Sequence, residues 1–121
     1  MRKTSSTNYA NEQDLHGYCS ASYTLSLISG RWKMTILVQL NEGAKRFSEL
    51  KANIPLITER MLSLQLKELE RDGLLDIQSA EGQKHISLYG LSALGKSIQK
   101  VIHTMADWGI ENKALQVITT V

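Results

Sequence analysis

The side chains best suited to contacting another molecule lie between residues 58 and 72. If this segment is a helix, successive residues turn by about 100°, so its leucines collect on one side. This apolar face, which must pack against a core, comprises Leu62, Leu66 and Leu69. The opposite face is basic and hydrogen-bonding, and comprises Arg60, Ser63, Leu64, Lys67 and Arg71. Such groups suit the phosphates and base edges of a nucleic-acid groove, although the acidic residues of the segment also allow a solvated surface helix.

Cations also stand on both sides of this segment in the sequence. Lys45 and Arg46 precede a short predicted helix, whereas Lys84 and His85 lie near the tip of a predicted β-hairpin. The phosphates of a duplex flank a helix docked in its groove, so cations on either side match that geometry. The net charge of +2 is too small to decide the matter, but the distribution of charge favours double-stranded DNA as a partner.

Cys19 is the only cysteine in the sequence. It excludes an internal disulfide and leaves a free thiol or an intermolecular bond. Because it comes just before a predicted helix, backbone N–H groups and the helix dipole can stabilise a thiolate there. Two interpretations stay open, a reactive thiol and a small buried hydrophobe.

No set of residues indicates catalysis or metal binding. His16, His85 and His103 lack the close spacing of a zinc site, and one thiol cannot build one. No serine or carboxylate motif and no glycine-rich phosphate loop accompanies them. We therefore expect no enzyme activity, no catalytic or metal site and no cofactor.

The apolar spacing and the cap residues predict a mainly α fold with a small β-hairpin. Helices are expected over residues 18–29, 31–41, 48–53 and 58–72. Ser48 is the expected cap of the third helix and Gly73 ends the fourth. Residues 45–47 are too short for an independent strand, whereas residues 74–79 and 84–91 predict two strands around a turn. Two helices joined by a tight turn and followed by a hairpin constitute a winged helix-turn-helix.

A final helix, with Ser92 as its N-cap, carries a long apolar seam. The seam repeats every three or four residues, close to the spacing of a coiled coil, and consists of Leu94, Ile98, Val101, Ile102, Met105 and Trp108. A small domain cannot cover such a seam completely by itself. The sequence therefore predicts a homodimer, with this seam as the interface between terminal helices.

The length of 121 residues fits one core. Residues 1–14 are polar and without apolar periodicity, which predicts a flexible arm, and residues 15–121 form the domain with its dimerisation helices. No apolar run reaches the length of about 18 residues that a bilayer requires, and the first 17 residues do not resemble a signal peptide. We expect a cytoplasmic protein without membrane contact.

Four strings stand in a fixed order along the chain: GRWK at 30–33, KRFSEL at 45–50, ITERMLSLQLKELERDGL at 57–74 and YGLSALG at 89–95. Together with Cys19 and the Trp-Gly pair at 108–109, they make residues 19–109 similar to the HxlR-type transcriptional regulators. These are relatives of the MarR-like winged helices. The resemblance covers about three quarters of the chain.

The resemblance implies a homodimer on a palindromic operator, with one helix of each subunit in the major groove. The residues that it places in the groove are Thr58, Arg60, Ser63, Leu64 and Lys67. It implies that Lys84 contacts the DNA backbone from the wing, and that Cys19 senses oxidants or electrophiles through a thiol adduct or an inter-subunit disulfide. The alternative function is a winged-helix protein-interaction module that leaves the groove-reading face unused.

Overall fold

The computed structural model describes residues 19–80 and 82–119, with the backbone alone for Lys84 and for residues 114–119. The chain is divided into two compact units, Met1–Gly30 and Arg31–Val121. Six helices and one three-stranded antiparallel sheet make up the described part, so the predicted mainly α winged fold is confirmed. The predicted arm over residues 1–14 lies outside the described residues. The predicted start of the first helix at residue 18 is wrong, because Cys19 is extended and the helix begins at Ser20.

The described part of the first unit consists of helix α1, Ser20–Ile28, and its two ends. Cys19 occupies the N-cap position in an extended conformation, and its carbonyl oxygen accepts the N–H of Ser22 at 3.1 Å. The helix ends at Ser29, whose N–H donates to the Leu25 carbonyl at 2.7 Å. Gly30 follows with a φ of +114°, a left-handed conformation that glycine adopts without strain.

The second unit contains helices α2, Lys33–Leu40, α3, Phe47–Asn53, and α4, Glu59–Arg71. Their apolar faces meet in one core, whose fully buried side chains are Ile36, Leu37, Leu50, Ile57, Leu62, Leu66, Leu69 and Leu74. The three leucines that the sequence assigned to the inner face of α4 are all in this core. Burial of that face fixes which side of α4 remains available for a partner.

The N-cap of helix α3 lies two residues earlier than the sequence predicts. Arg46, not Ser48, stands at the N-cap position, and its N–H donates to Oε1 of Glu49 at 2.9 Å. The Glu49 carboxylate, three residues into the helix, thus accepts the N–H of the N-cap residue, whereas a Ser48 cap would have accepted an N–H of the first turn. The predicted cap is wrong because Arg46 also belongs to a strand, which holds the chain extended up to that residue.

The wing is formed by strand β2, Leu75–Ala80, and strand β3, Gln83–Leu91. A two-residue strand β1, Lys45–Arg46, pairs antiparallel with β3, which is therefore the central strand. Residues 45–46 form a strand only because β3 supplies the hydrogen-bonding partners, a long-range pairing that the local sequence does not indicate. The register of β2 and β3 shifts between Ser79 and Ala80, near the tip.

The predicted final helix is interrupted at Ile98. Helix α5, Ala93–Ser97, begins at Ser92, whose hydroxyl accepts the N–H of Gly95 at 3.0 Å, and helix α6 follows as Gln99–Thr119. The side-chain amide of Gln99 donates to the Gly95 carbonyl at 3.4 Å and to the Leu37 carbonyl at 3.2 Å. Insertion of this amide into the hydrogen-bond ladder accompanies the break, so the prediction of one continuous helix is wrong.

Candidate nucleic-acid interface

Helix α4 is fixed at both ends by interactions that its own sequence specifies. At the N-terminus, the Thr58 hydroxyl accepts the N–H of Met61 at 3.1 Å. At the C-terminus, Gly73 has a φ of +82°, and the N–H of Leu74 donates to the Leu69 carbonyl at 2.9 Å. The N–H of Gly73 donates to the Glu70 carbonyl at 3.0 Å, which completes a Schellman motif. The helix is therefore a rigid element with defined ends.

The turn between α3 and α4 is anchored by two isoleucines. Ile54 and Ile57 are only 5% and 2% exposed, whereas Pro55 and Leu56 between them are exposed. The Lys51 ammonium donates to the Pro55 carbonyl at 3.1 Å, across the turn. Burial of Ile54 and Ile57 anchors both ends of the turn in the core. The core therefore fixes the position of α4 relative to α3.

One stripe on the outer face of α4 carries cations and no carboxylate. We call it the α4 stripe, and it consists of Arg60, Leu64, Lys67 and Arg71, all exposed. At about 100° per residue these four fall within about 60° of the helix circumference. Neither Arg60 nor Lys67 forms an ion pair with any described residue. Ser63 lies beside the stripe and is half-buried.

Two of the three acidic residues of α4 lie at the flanks of the stripe. Glu68 and Glu70 lie about 80° to either side of Arg60 on the helix circumference. Oε1 of Glu68 is 2.8 Å from Nζ of Lys33, a lysine of α2 that is only 8% exposed. On β3, partial burial, and then the charge of Glu70, raise the pKa of Tyr89 above its usual value of 10.0. Glu68 is thus held by α2 at the edge of the stripe. Glu59, next to Arg60, is exposed, and Asp72 accepts a hydrogen bond from the Arg71 guanidinium at 3.4 Å.

The cations that precede α3 have partners within the chain. Nζ of Lys45 is 3.5 Å from Oε1 of Glu42, and the Lys45 side chain is 17% exposed. The Arg46 guanidinium is exposed and donates to Oε1 of Gln83, at the start of β3, at 3.1 Å. Arg46 therefore joins the base of α3 to the wing and keeps a solvent-facing side.

On the wing itself, His85 is exposed. It lines an open groove of about 430 Å³ together with Arg46, Phe47, Ser48, Ile86, Ser87 and Tyr89. The structure thus places His85 and Arg46 at one groove beside α3. The side chain of Lys84, the third cation predicted for this flank, lies outside the described residues.

The predicted seam of the last helix is divided between core and surface. Ile98 and Ile102 are 9% and 7% exposed, whereas Leu94, Val101 and Met105 are 51%, 37% and 37% exposed. Trp108, the last residue of the predicted seam, is 65% exposed, and Ile110, beyond the seam, is 77% exposed. Ile110 lies about 160° around α6 from Trp108, so it belongs to a different face from the seam. Two residues of the seam therefore stabilise the monomer, and the others remain open to a partner.

Cys19 has an exposed thiol at the N-cap of α1, and no side-chain hydrogen bond caps the helix there. Its exposure does not fit the interpretation of a small buried hydrophobe. Within the described residues, no group of three His, Cys, Asp or Glu side chains is arranged to hold a metal ion. None of the described helices is long and apolar enough to span a bilayer.

Comparison with known proteins gives consistent matches. The family model of the HxlR-like helix-turn-helix matches residues 27–116. The HTH-type transcriptional regulator YdeP of Bacillus subtilis is 40% identical over 103 residues, which are 85% of this chain and 80% of YdeP.

Two solved structures show the same architecture. The redox regulator HypR in its reduced form superposes with a TM-score of 0.74 at 33% identity, over 85% of this chain and all of HypR. The quinone-bound YodB from B. subtilis gives a TM-score of 0.67 at 32% identity, over 76% of this chain and 97% of YodB.

The tight α3–α4 turn, the exposed cationic stripe and the hairpin after α4 define a winged helix-turn-helix protein. The chain belongs to the HxlR-like helix-turn-helix family. It is therefore a transcriptional regulator and not an enzyme, as the sequence analysis expected.

Proposed function

We propose that the chain binds a palindromic operator in double-stranded DNA as a homodimer in the cytoplasm, with α4 of each subunit in the major groove. The observation that carries this proposal is the α4 stripe, which presents three cations opposite a fully buried leucine face, although Arg71 is paired with Asp72 at 3.4 Å. Arg60 and Lys67 are free of ion pairs with other described residues, so binding a phosphate or a base edge breaks no existing pair. Thr58 and Ser63 would add hydrogen bonds near the N-terminal half.

The cations that flank α4 in the sequence are expected to contribute unequally to DNA binding. Arg46 and His85 lie at one groove beside α3 and would meet the phosphates next to the wing, with Lys84 as a third contact. Lys45 would have to exchange Glu42 for a phosphate, since its ammonium already has a carboxylate at 3.5 Å. We therefore expect Lys45 to contribute least.

The proposed dimer rests on the apolar surface of α6. Val101, Met105 and Trp108 are exposed on one face of this helix, and an exposed apolar surface of this kind marks an interaction site. The helix has 21 residues, a length of about 32 Å at 1.5 Å per residue. Two copies packed along α6 would join the two DNA-binding units of a symmetric dimer.

Cys19 is proposed as the regulatory site. Its thiol is exposed, and two structures of similar fold are described as a redox regulator and as a quinone-bound protein. With an oxidant that accepts two electrons and two protons, such as diamide, the thiol can form an inter-subunit disulfide or a mixed disulfide with a small thiol. With an electrophile such as a quinone, the thiolate adds to a ring carbon and forms a C–S bond, and the ring takes up a proton. Any of them would act by changing the spacing of the two α4 helices, which must match about 34–36 Å of DNA.

The DNA-binding proposal is tested with the selected operator and two variants. Arg60→Ala is expected to cost about 1–3 kcal/mol of binding and to relax specificity at one position of each half-site. Lys96→Ala, which removes an exposed cation from α5, is the matched control and should leave the affinity unchanged. The logarithm of the binding constant should fall with the logarithm of salt by about 0.9 per neutralised phosphate. An unaltered affinity of folded, dimeric Arg60→Ala would refute the assignment of α4.

Dimerisation and the thiol have separate tests. Val101→Glu should give a monomer by light scattering, whereas Leu56→Glu, at a more exposed apolar residue in the turn, should stay dimeric. For the thiol, operator affinity is measured for the wild type and Cys19→Ser before and after treatment with diamide or a quinone. Only the wild type should respond, and equal responses of the two proteins would exclude Cys19 as the sensor.

A further inference from the structure

Leu64 is an apolar residue at the centre of a polar stripe. It is 47% exposed, with Arg60 one turn before it and Lys67 one turn after it on the same face of α4. Exposed leucines are common on protein surfaces, so the exposure alone indicates nothing. Its position is informative, because a helix that inserts the α4 stripe into a groove brings Leu64 to the base edges between Arg60 and Lys67.

The chemistry of the major groove leaves one partner for this side chain. Base edges there present hydrogen-bond donors and acceptors, and the C5-methyl group of thymine is the apolar exception. Leucine neither donates nor accepts a hydrogen bond. Against any other edge it would remove water from a polar atom without replacing the lost hydrogen bond, which is unfavourable.

We propose that Leu64 is a specificity-determining residue that recognises the C5-methyl group of a thymine in each operator half-site. The inference rests on the proposed function, because it requires α4 to lie in the major groove. It adds the chemical identity of one base to that function and does not depend on Cys19.

The size of the effect follows from the burial of one methyl group. Removing a buried methyl costs about fourfold in affinity per half-site, and therefore roughly fifteenfold for a symmetric operator with two half-sites. Deoxyuridine differs from thymidine only by this methyl group and keeps every hydrogen-bonding atom. Replacing thymine by uracil thus isolates the apolar contact from base pairing.

The experiment uses the full chain and duplexes selected by it from a random-sequence library. In the tightest duplex, each symmetric pair of thymines is replaced by deoxyuridine in turn, and Kd is measured by fluorescence anisotropy. The proteins compared are the wild type, Leu64→Ala and the control Val38→Ala, which truncates a residue of α2 with a matching exposure of 48%. Thermal unfolding confirms that each variant is folded.

One thymine pair should lose roughly fifteenfold in affinity with the wild type and with Val38→Ala, and little or nothing with Leu64→Ala. In addition, Leu64→Gln should shift the preferred base at that position to adenine, which glutamine can bind through N6 and N7. Selected duplexes that bind tightly but show no Leu64-dependent thymine pair would overturn this inference and leave the proposed function intact. Failure to select any duplex would overturn both.

Discussion

The ion pair between Lys33 and Glu68 gives a sharp test of how α4 is held in place. It joins α2 to α4 at 2.8 Å, and the two side chains are 11% and 27% exposed, respectively. Because the lysine is the more buried partner, removing the carboxylate leaves a covered ammonium without a counter-charge. Removing the lysine instead leaves a glutamate that can turn toward water.

The two single substitutions should therefore differ. Loss of one partner of a fully buried pair costs about 3–5 kcal/mol, and the partial exposure of this pair reduces that figure. We expect Glu68→Ala to lower the free energy of unfolding by about 2–3 kcal/mol and Lys33→Met, which keeps the apolar stem, by about 1 kcal/mol. Lys67→Met, at an exposed lysine of the α4 stripe, should change it by less than about 0.5 kcal/mol.

The assay is urea unfolding at one fixed protein concentration, since a dimer gains stability with concentration. The double variant Lys33→Met/Glu68→Ala should cost less than the two singles together, because no unpaired charge remains; we expect a coupling of about 1–2 kcal/mol. If the single costs add without coupling, or if Glu68→Ala is no worse than Lys67→Met, the pair does not hold α4.

Three further substitutions test other contacts. Gly95→Ala would bring a Cβ into collision with the backbone carbonyl of Leu74 and should destabilise the fold by about 1–3 kcal/mol. Gly109→Ala, in open space within α6, should stabilise it by about 0.5–1 kcal/mol. Equal midpoints of thermal unfolding for the two variants would contradict this packing. Ser92→Ala removes the cap of α5 and a bond of 2.6 Å to the Gly73 carbonyl, and should cost about 1–2 kcal/mol in urea unfolding; a loss within error would show that neither bond matters. Because the pKa of Tyr89 is raised in the fold, its contribution to stability is present below pH 10.0 and is lost as the pH rises through the folded pKa. Above pH 10.0 the free energy of unfolding should therefore fall less steeply with pH in Tyr89→Phe than in the wild type. Equal slopes in the two proteins would contradict a raised pKa of Tyr89.

The sequence by itself determined the elements and faces that depend on neighbours along the chain. A repeat of 3.6 residues separates Leu62, Leu66 and Leu69 from the cations of α4, whatever surrounds the helix. Thr58 and Gly73 specify the two ends of α4 through bonds to backbone groups a few residues away. The α4 stripe was therefore visible in the residue order, together with the winged fold that presents it.

Only the tertiary structure decided which residues far apart in the chain become partners. The sequence does not indicate that Glu68 of α4 pairs with Lys33 of α2, 35 residues earlier, at 2.8 Å. Likewise, the seam of the last helix is periodic throughout, yet the core buries Ile98 and Ile102 and leaves the other seam residues exposed. Periodicity fixes the direction in which a side chain points from its own helix axis. What lies in that direction depends on how the elements pack, and this is a property of the whole fold.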